Sequence, residues 1–265
     1  MSAERGNRAT SSVTASSVHP NDEMEGSDDE GCWFEPQERA PRVLVCFTGS
    51  VASVKAHEVV QSFINRAFDV RVIVTDVAKR FVEVEELRRR IRASYDEIEA
   101  EVGGINYLER FQDGGHGADE PFVYTDDTEW RAWREIGDLV THIQLRKWAD
   151  ILLVAPLSAN TLAKMANGLC DNLLTCVWRA WDFHPEKAVF VAPAMNTAMW
   201  NSPFTGKHLA VLSEFPNVHV IDPVEKTLAC GDTGIGAMAS PKTILRAVCA
   251  FPRRAWWILQ RRVVS

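Results

Sequence analysis

Cys230 stands in LACGDTGIGAM, residues 228–238, one thiol followed by glycines at 231, 234 and 236 and a closing methionine. Glycines at that spacing let the backbone take positive φ and fold over a ligand as a lid. A thiol carried on such a lid can donate a proton where water is excluded. No base adjoins it to make it an obvious attacking nucleophile, so an inert thiol beside a turn accounts for the same residues. His142, in THIQLRKWAD, offers an imidazole, a group that can serve as a base or, protonated, hold a carboxylate. A structural histidine is the other reading. Asn196, in APAMNTAMW, can grip a carboxylate or amide. Met195, Met199 and Trp200 around it give soft apolar walls, though such residues also build cores.

Two further segments place small and polar residues where an anion or a cofactor could sit. FTGSVAS brings Gly49, Ser50 and Val51 to the point where a strand hands over to a helix. Backbone amides and the helix dipole are free there to hold an anion, with hydroxyls from Ser50 and Ser53. The stretch is neither GxGxxG nor GxxxxGK[ST], which argues against a dinucleotide or nucleoside triphosphate, and a plain tight turn remains open. In APLSANTLAKMA, Ser158 suits a helix N-cap, and Asn160 and Thr161 add hydrogen-bonding groups in the same crevice. No metal ligand set is expected.

The elements that must carry these residues are legible from apolar patterning. RVLVCF, DVRVIVT, ADILLVAPL and KAVFVAPAM are continuous apolar runs, which mark strands buried on both faces. Helical spacing follows the first run in SVASVKAHEVVQSFINRAF, and NTLAKMANGL and NLLTCVWRAW separate the last two. Alternation of this kind predicts an α/β fold, a doubly wound parallel sheet in a single domain, with ligands gathered at the carboxyl ends of the strands. The loops TGSVAS, TDVAK, APLSANT and APAMNTAMW all fall there. Residues 83–102 repeat Val84, Leu87, Ile91, Tyr95, Ile98 and Val102 at steps of three and four, a helix with one apolar face. Residues 103–120 are glycine-rich and polar and read as a loop, within an insertion at about 84–120.

Length and composition fix the frame. With 265 residues, 46% of them hydrophobic, the chain can bury one sizeable core. The net charge of −7 is concentrated in residues 1–40, which hold nine acids against three bases. That segment reads as a disordered acidic tail, with an acidic docking segment as the functional alternative. Nothing in the charge distribution recommends a nucleic-acid partner. The six cysteines form neither CxxC pairs nor a disulfide framework, and no apolar run is long enough to span a membrane, so a cytoplasmic protein is expected. Residues 41–252 form the folded domain, and 253–265 a basic, aromatic tail.

The order GSVA, HI.LR.WAD, PLSANTLAK, CDNLLT, PAMN..MW and ACGD.G.GAM resembles the phosphopantothenoylcysteine decarboxylases, within the homo-oligomeric flavin-containing cysteine decarboxylases. The resemblance covers about residues 42–250 apart from the stretch near 84–120. It implies a flavodoxin-like subunit, a homotrimer whose neighbouring copies complete each site, and FMN as cofactor. It places Gly49, Ser50 and Val51 at the FMN phosphate, with Thr75, Ser158, Ala159, Asn160, Thr161 and Ala194 along the flavin. His142 matches the essential histidine, Asn196 the residue gripping the substrate carboxylate, Met199 its neighbour, and Cys230 the acid of the substrate-covering flap. The implied reaction converts 4'-phosphopantothenoylcysteine to 4'-phosphopantetheine in coenzyme A biosynthesis. Alternatives within reach of the resemblance are a regulatory relative that inhibits a protein phosphatase, a peptidyl-cysteine decarboxylase and a flavin prenyltransferase. Gln144 stands where an acidic residue often follows the family's histidine.

Overall fold

The computed structural model describes residues 40–102, 122–184, 186–227 and 233–251. The acidic tail, the 103–120 loop, the C-terminal tail and Cys230 lie outside the described residues.

Six strands form one parallel sheet in the order β3-β2-β1-β4-β5-β6: β1 (Arg42–Phe47), β2 (Asp69–Val74), β3 (Val123–Tyr124), β4 (Ile151–Leu157), β5 (Ala188–Pro193) and β6 (Val218–Val220). The four apolar runs are β1, β2, β4 and β5, and almost every residue in them is buried because helices cover both faces. The edge strands β3 and β6 went unforeseen. They are two and three residues long, too short to leave a periodic signal.

One face carries α1 (Ala56–Ile64), α2 (Val84–Val102) and the C-terminal helix, α9 (Pro241–Cys249), packed through Val59, Val60, Phe63, Leu87, Ile91, Ile244 and Val248. The other carries α4 (Thr141–Trp148), α5 (Ala159–Ala166), α6 (Leu173–Arg179) and α8 (Pro203–Ser213), packed through Leu145, Leu162, Met165, Leu174, Val177 and Leu212. Two shorter helices, α3 (Asp126–Ala132) and α7 (Thr197–Trp200), precede α4 and α8. This is the doubly wound, flavodoxin-like arrangement that the apolar runs require.

The helix at 84–102 is part of the core. Tyr95 is 1% exposed; its hydroxyl accepts a hydrogen bond from the Val70 amide at 2.8 Å and donates to the Phe68 carbonyl at 3.3 Å. Both partners flank the start of β2, so this helix satisfies backbone groups the sheet leaves open. Among the described residues no helix is long and apolar enough to cross a membrane.

Candidate active site

The carboxyl ends of β1, β4 and β5 adjoin in the sheet, and side-chain hydrogen bonds lock their loops together. The Thr48 hydroxyl donates to the Pro156 carbonyl at 2.7 Å and accepts from the Ser158 amide at 2.8 Å. The Ala194 amide donates to the Leu157 carbonyl at 2.9 Å. Gly49 is required by packing: a Cβ there would lie 2.6 Å from Val77 Cγ1.

Past Gly49 the chain enters a 3-10 turn, Val51–Lys55, that runs directly into α1. Ser50 caps this turn through the Ala52 amide. The amides of Gly49 and Val51 meet no acceptor among the described residues, which leaves two donors for an anion. Ser53 does not add a hydroxyl to them. It is fully buried, and its Oγ donates to the Thr48 carbonyl at 2.8 Å.

Asn196 opens α7 as its N-cap, accepting from the Met199 amide at 2.8 Å through Oδ1. Its Nδ2 is thereby oriented and has no partner among the described residues, ready to donate to a ligand carboxylate. Met199 is exposed beside it.

The segment read as a loose glycine lid is in its described parts a hairpin, β7 (Val224–Thr227) against β8 (Thr233–Ala237). Its glycines serve close docking. At Gly236, with φ +149°, a Cβ would stand 2.3 Å from the Met195 carbonyl, and at Gly234 a Cβ would stand 2.6 Å from Thr197 Oγ1. The Met195 amide donates to the Gly236 carbonyl at 2.9 Å. Strand β8 is therefore pinned across the loop that carries Asn196.

Between hairpin and first loop lies a cleft of about 370 Å³. The first loop supplies Ser50, Val51, Ala52, Val54 and Lys55, the end of β5 supplies Ala194, Met195 and Asn196, and the hairpin supplies Lys226, Thr227, Gly236, Ala237 and Met238. The cleft thus gathers Ser50, Val51, Ala194 and Asn196 from the sequence-expected set. Gly49 and Met199 adjoin lining residues without lining it themselves, and it does not take in Thr75, Ser158, Ala159, Asn160 or Thr161. The Thr75 hydroxyl is buried and donates to the Phe47 carbonyl. Ser158 caps α5 and donates to the Thr161 hydroxyl at 3.1 Å, while Asn160 is exposed. Lys55 and Lys226 were not singled out from sequence; neither is ion-paired among the described residues, so both charges are open to a ligand.

His142 lies apart from this cleft, on the face covered by α4 and α6. Its Nδ1 contacts a carboxylate oxygen of Glu129 on α3, and Glu129 is only 8% exposed. A His142 ring nitrogen, a Glu129 oxygen and the Cys176 Sγ lie within 4.8 Å of one another. Burial, then the nearby Glu129 charge, pushes the Cys176 thiol up to about 11. It therefore stays a neutral donor, directed at the Cys170 carbonyl. Glu129 gave no signal in the sequence beyond an acid in a short helix thirteen residues before the histidine.

The cleft fits a flavin mononucleotide. Free amides, the Ser50 hydroxyl and Lys55 suit a phosphate at one end, while Val51, Val54, Met195 and Met238 give apolar walls for a planar ring system.

The flavoprotein family matches residues 35–252. The chain is 45% identical over 213 residues to phosphopantothenoylcysteine decarboxylase HAL3a of Glycine max, covering 80% of this chain and 85% of that protein. Among solved structures, a cysteine-to-serine mutant of PPC decarboxylase complexed with pantothenoylaminoethenethiol is similar with a TM-score of 0.63 at 43% identity, covering 80% of this chain and 98% of the other. The FMN binding protein AtHal3 is similar with a TM-score of 0.62 at 43% identity, covering 83% and 97%.

Proposed function

Because this chain belongs to the flavoprotein family, and within it to the phosphopantothenoylcysteine decarboxylases, we propose that it carries out the FMN-dependent decarboxylation of 4'-phosphopantothenoylcysteine to 4'-phosphopantetheine. The observation that carries this reading is one cleft with an anion cradle at Ser50, an Asn196 amide that has no partner among the described residues, and a hairpin pinned across the Asn196 loop.

A cysteine-derived carboxylate has no electron sink of its own, and bound FMN supplies one by accepting electrons from the thiol-bearing carbon pair and returning them after CO2 is lost. The chain's residues do the rest. Gly49, Ser50 and Val51 hold the phosphate end, and Ala194 lies against the cofactor; Thr75, Ser158, Ala159, Asn160 and Thr161 back the same end of the sheet. Asn196 donates from Nδ2 to the substrate carboxylate, fixing which bond breaks. Met199 and Met195 keep water from that carboxylate. His142 takes a proton at Nε2 during the oxidative half, and Cys230 gives a proton to the product carbon at the end.

His142 is not among the cleft-lining residues, so the reading includes a homotrimer in which neighbouring copies bring the imidazole to the cleft. Trp130, Trp133, Ile136 and Leu139, all exposed around α3 and the approach to α4, support an apolar contact there. A cytoplasmic location accords with Cys46, Cys170 and Cys176, none in a disulfide among the described residues.

The test is direct. Purified protein is expected to be yellow, to release CO2 from 4'-phosphopantothenoylcysteine and to leave a C-terminal-cysteine peptide unchanged; turnover of the peptide alone would overturn the reading. Cys230→Ser is expected to release CO2 but not 4'-phosphopantetheine, with an oxidised enethiol accumulating, as mass spectrometry of the quenched reaction would show. Normal product formation by that variant would remove Cys230 from the mechanism.

A further inference from the structure

Glu129 is a carboxylate with one partner. Among the described residues its only hydrogen bond or ion pair is to His142 Nδ1, and no lysine or arginine neutralises it. A carboxylate that is 8% exposed is costly to keep charged without compensation, so such a group is retained where it holds something in place.

The scaffold that delivers it is firmly tied. The helix α3 begins with a reciprocal cap between Thr125 and Thr128. One residue on, the Asp126 carboxylate accepts from the Leu173 amide at 2.7 Å, fastening α3 to the start of α6. The same α6 carries Cys176 against the pair. Glu129 from α3 and Cys176 from α6 stand beside His142, and the titratable groups that act on Cys176 in turn are Glu129 and Asp126 from α3 and Cys170 and Asp171 from the turn before α6. Asp171 is engaged by Lys164 at 2.6 Å and Asp126 by the Leu173 amide. The Cys176 thiol is kept neutral and is directed at the Cys170 carbonyl at 3.4 Å. None of these competes with Glu129 for Nδ1. On the opposite side of the ring, Nε2 makes no hydrogen bond among the described residues.

We propose that Glu129 is the positioning residue for His142: by accepting the Nδ1 proton it fixes the imidazole's tautomer and tilt, leaving Nε2 unprotonated and free to act as the base. The inference rests on the decarboxylase reading for what the base does, and on geometry alone for how it is held. A carboxylate behind a catalytic imidazole works in this way wherever the ring must present one nitrogen to the reaction.

The experiment has two arms. In the holoenzyme with 15N-labelled histidine, the ring-nitrogen shifts of neutral His142 are expected to report the Nδ1–H tautomer; a proton on Nε2 overturns the proposal whether or not the protein is active. In Glu129→Gln the tautomer signal is expected to become mixed, with kcat reduced about 10²-fold by the misplaced base while KM, bound flavin and the thermal midpoint stay at wild-type values. An unchanged tautomer with unchanged kcat would reduce Glu129 to a structural tie between two helices. Wild-type protein with the Nδ1–H tautomer but no CO2 release would instead overturn the decarboxylase reading and leave the positioning role standing.

Discussion

The cleft beside β1 and β5 and the cluster around His142 are built in opposite ways. In the cleft, Lys55, Lys226, Asn196 Nδ2 and the Val51 amide, and beside it the Gly49 amide, all lack partners within the described chain. In the cluster, Glu129 and His142 Nδ1 are spent on each other and Cys176 on a carbonyl. Open polar groups are what a binding surface needs, because each can be satisfied only by a ligand. Committed polar groups are what proton handling needs, because they hold one nitrogen still so that the other can react. On the proposed function, holding the ligand and holding the His142 base are therefore separate devices in this subunit.

The separation can be broken first at His142. His142→Asn is expected to lower kcat by about 10²–10⁴-fold with flavin retained in full, measured by steady-state assay and visible absorbance. Loss of flavin in parallel would mean that the two regions are one. Asn196→Ala is the counterpart in the cleft. Removing a hydrogen bond to a charged group is worth about 1.5–3 kcal/mol, so KM is expected to rise roughly 10- to 100-fold, seen in the substrate dependence of CO2 release. Gly236→Ala sharpens the comparison from the side of structure. The new Cβ would meet the Met195 carbonyl at 2.3 Å in a backbone conformation that L residues avoid, at a cost of about 1–3 kcal/mol, read as a lower thermal midpoint.

The smallest effect belongs to Cys176. Its thiol is raised from 9.0 to about 11, chiefly by burial, so its neutral form is favoured in the folded chain. That contribution is whole below pH 9 and is lost as pH rises from 9 through 11. Denaturation midpoints are expected to fall across that window, and less so in Cys176→Ala.

Much of this was legible in the sequence. The four apolar runs are the four long strands of the sheet, because a strand buried on both faces cannot afford polar alternation. The strand-end loops were legible for the same reason, since a doubly wound sheet exposes its carboxyl ends. The short edge strands were not: β6 is only half-buried along its three residues, and β3 takes its place from pairing with β2. Ser53 misled because a serine in a turn looks like a ligand until its hydroxyl is seen pointing inward. Gly234 and Gly236 suggested mobility, yet each marks a contact too close for a side chain. Glu129 was invisible because its meaning comes from a partner across a helix junction, and periodicity carries no trace of such a pairing.

Tyr95 ties the fate of the 84–102 helix to that of the sheet. A shortened variant lacking this helix would strand the Val70 amide without its acceptor and leave the Phe122 ring without its stacking partner, so any trimming of the chain there calls for a replacement acceptor at the same spot. The segment that joins two strands is also one of their supports.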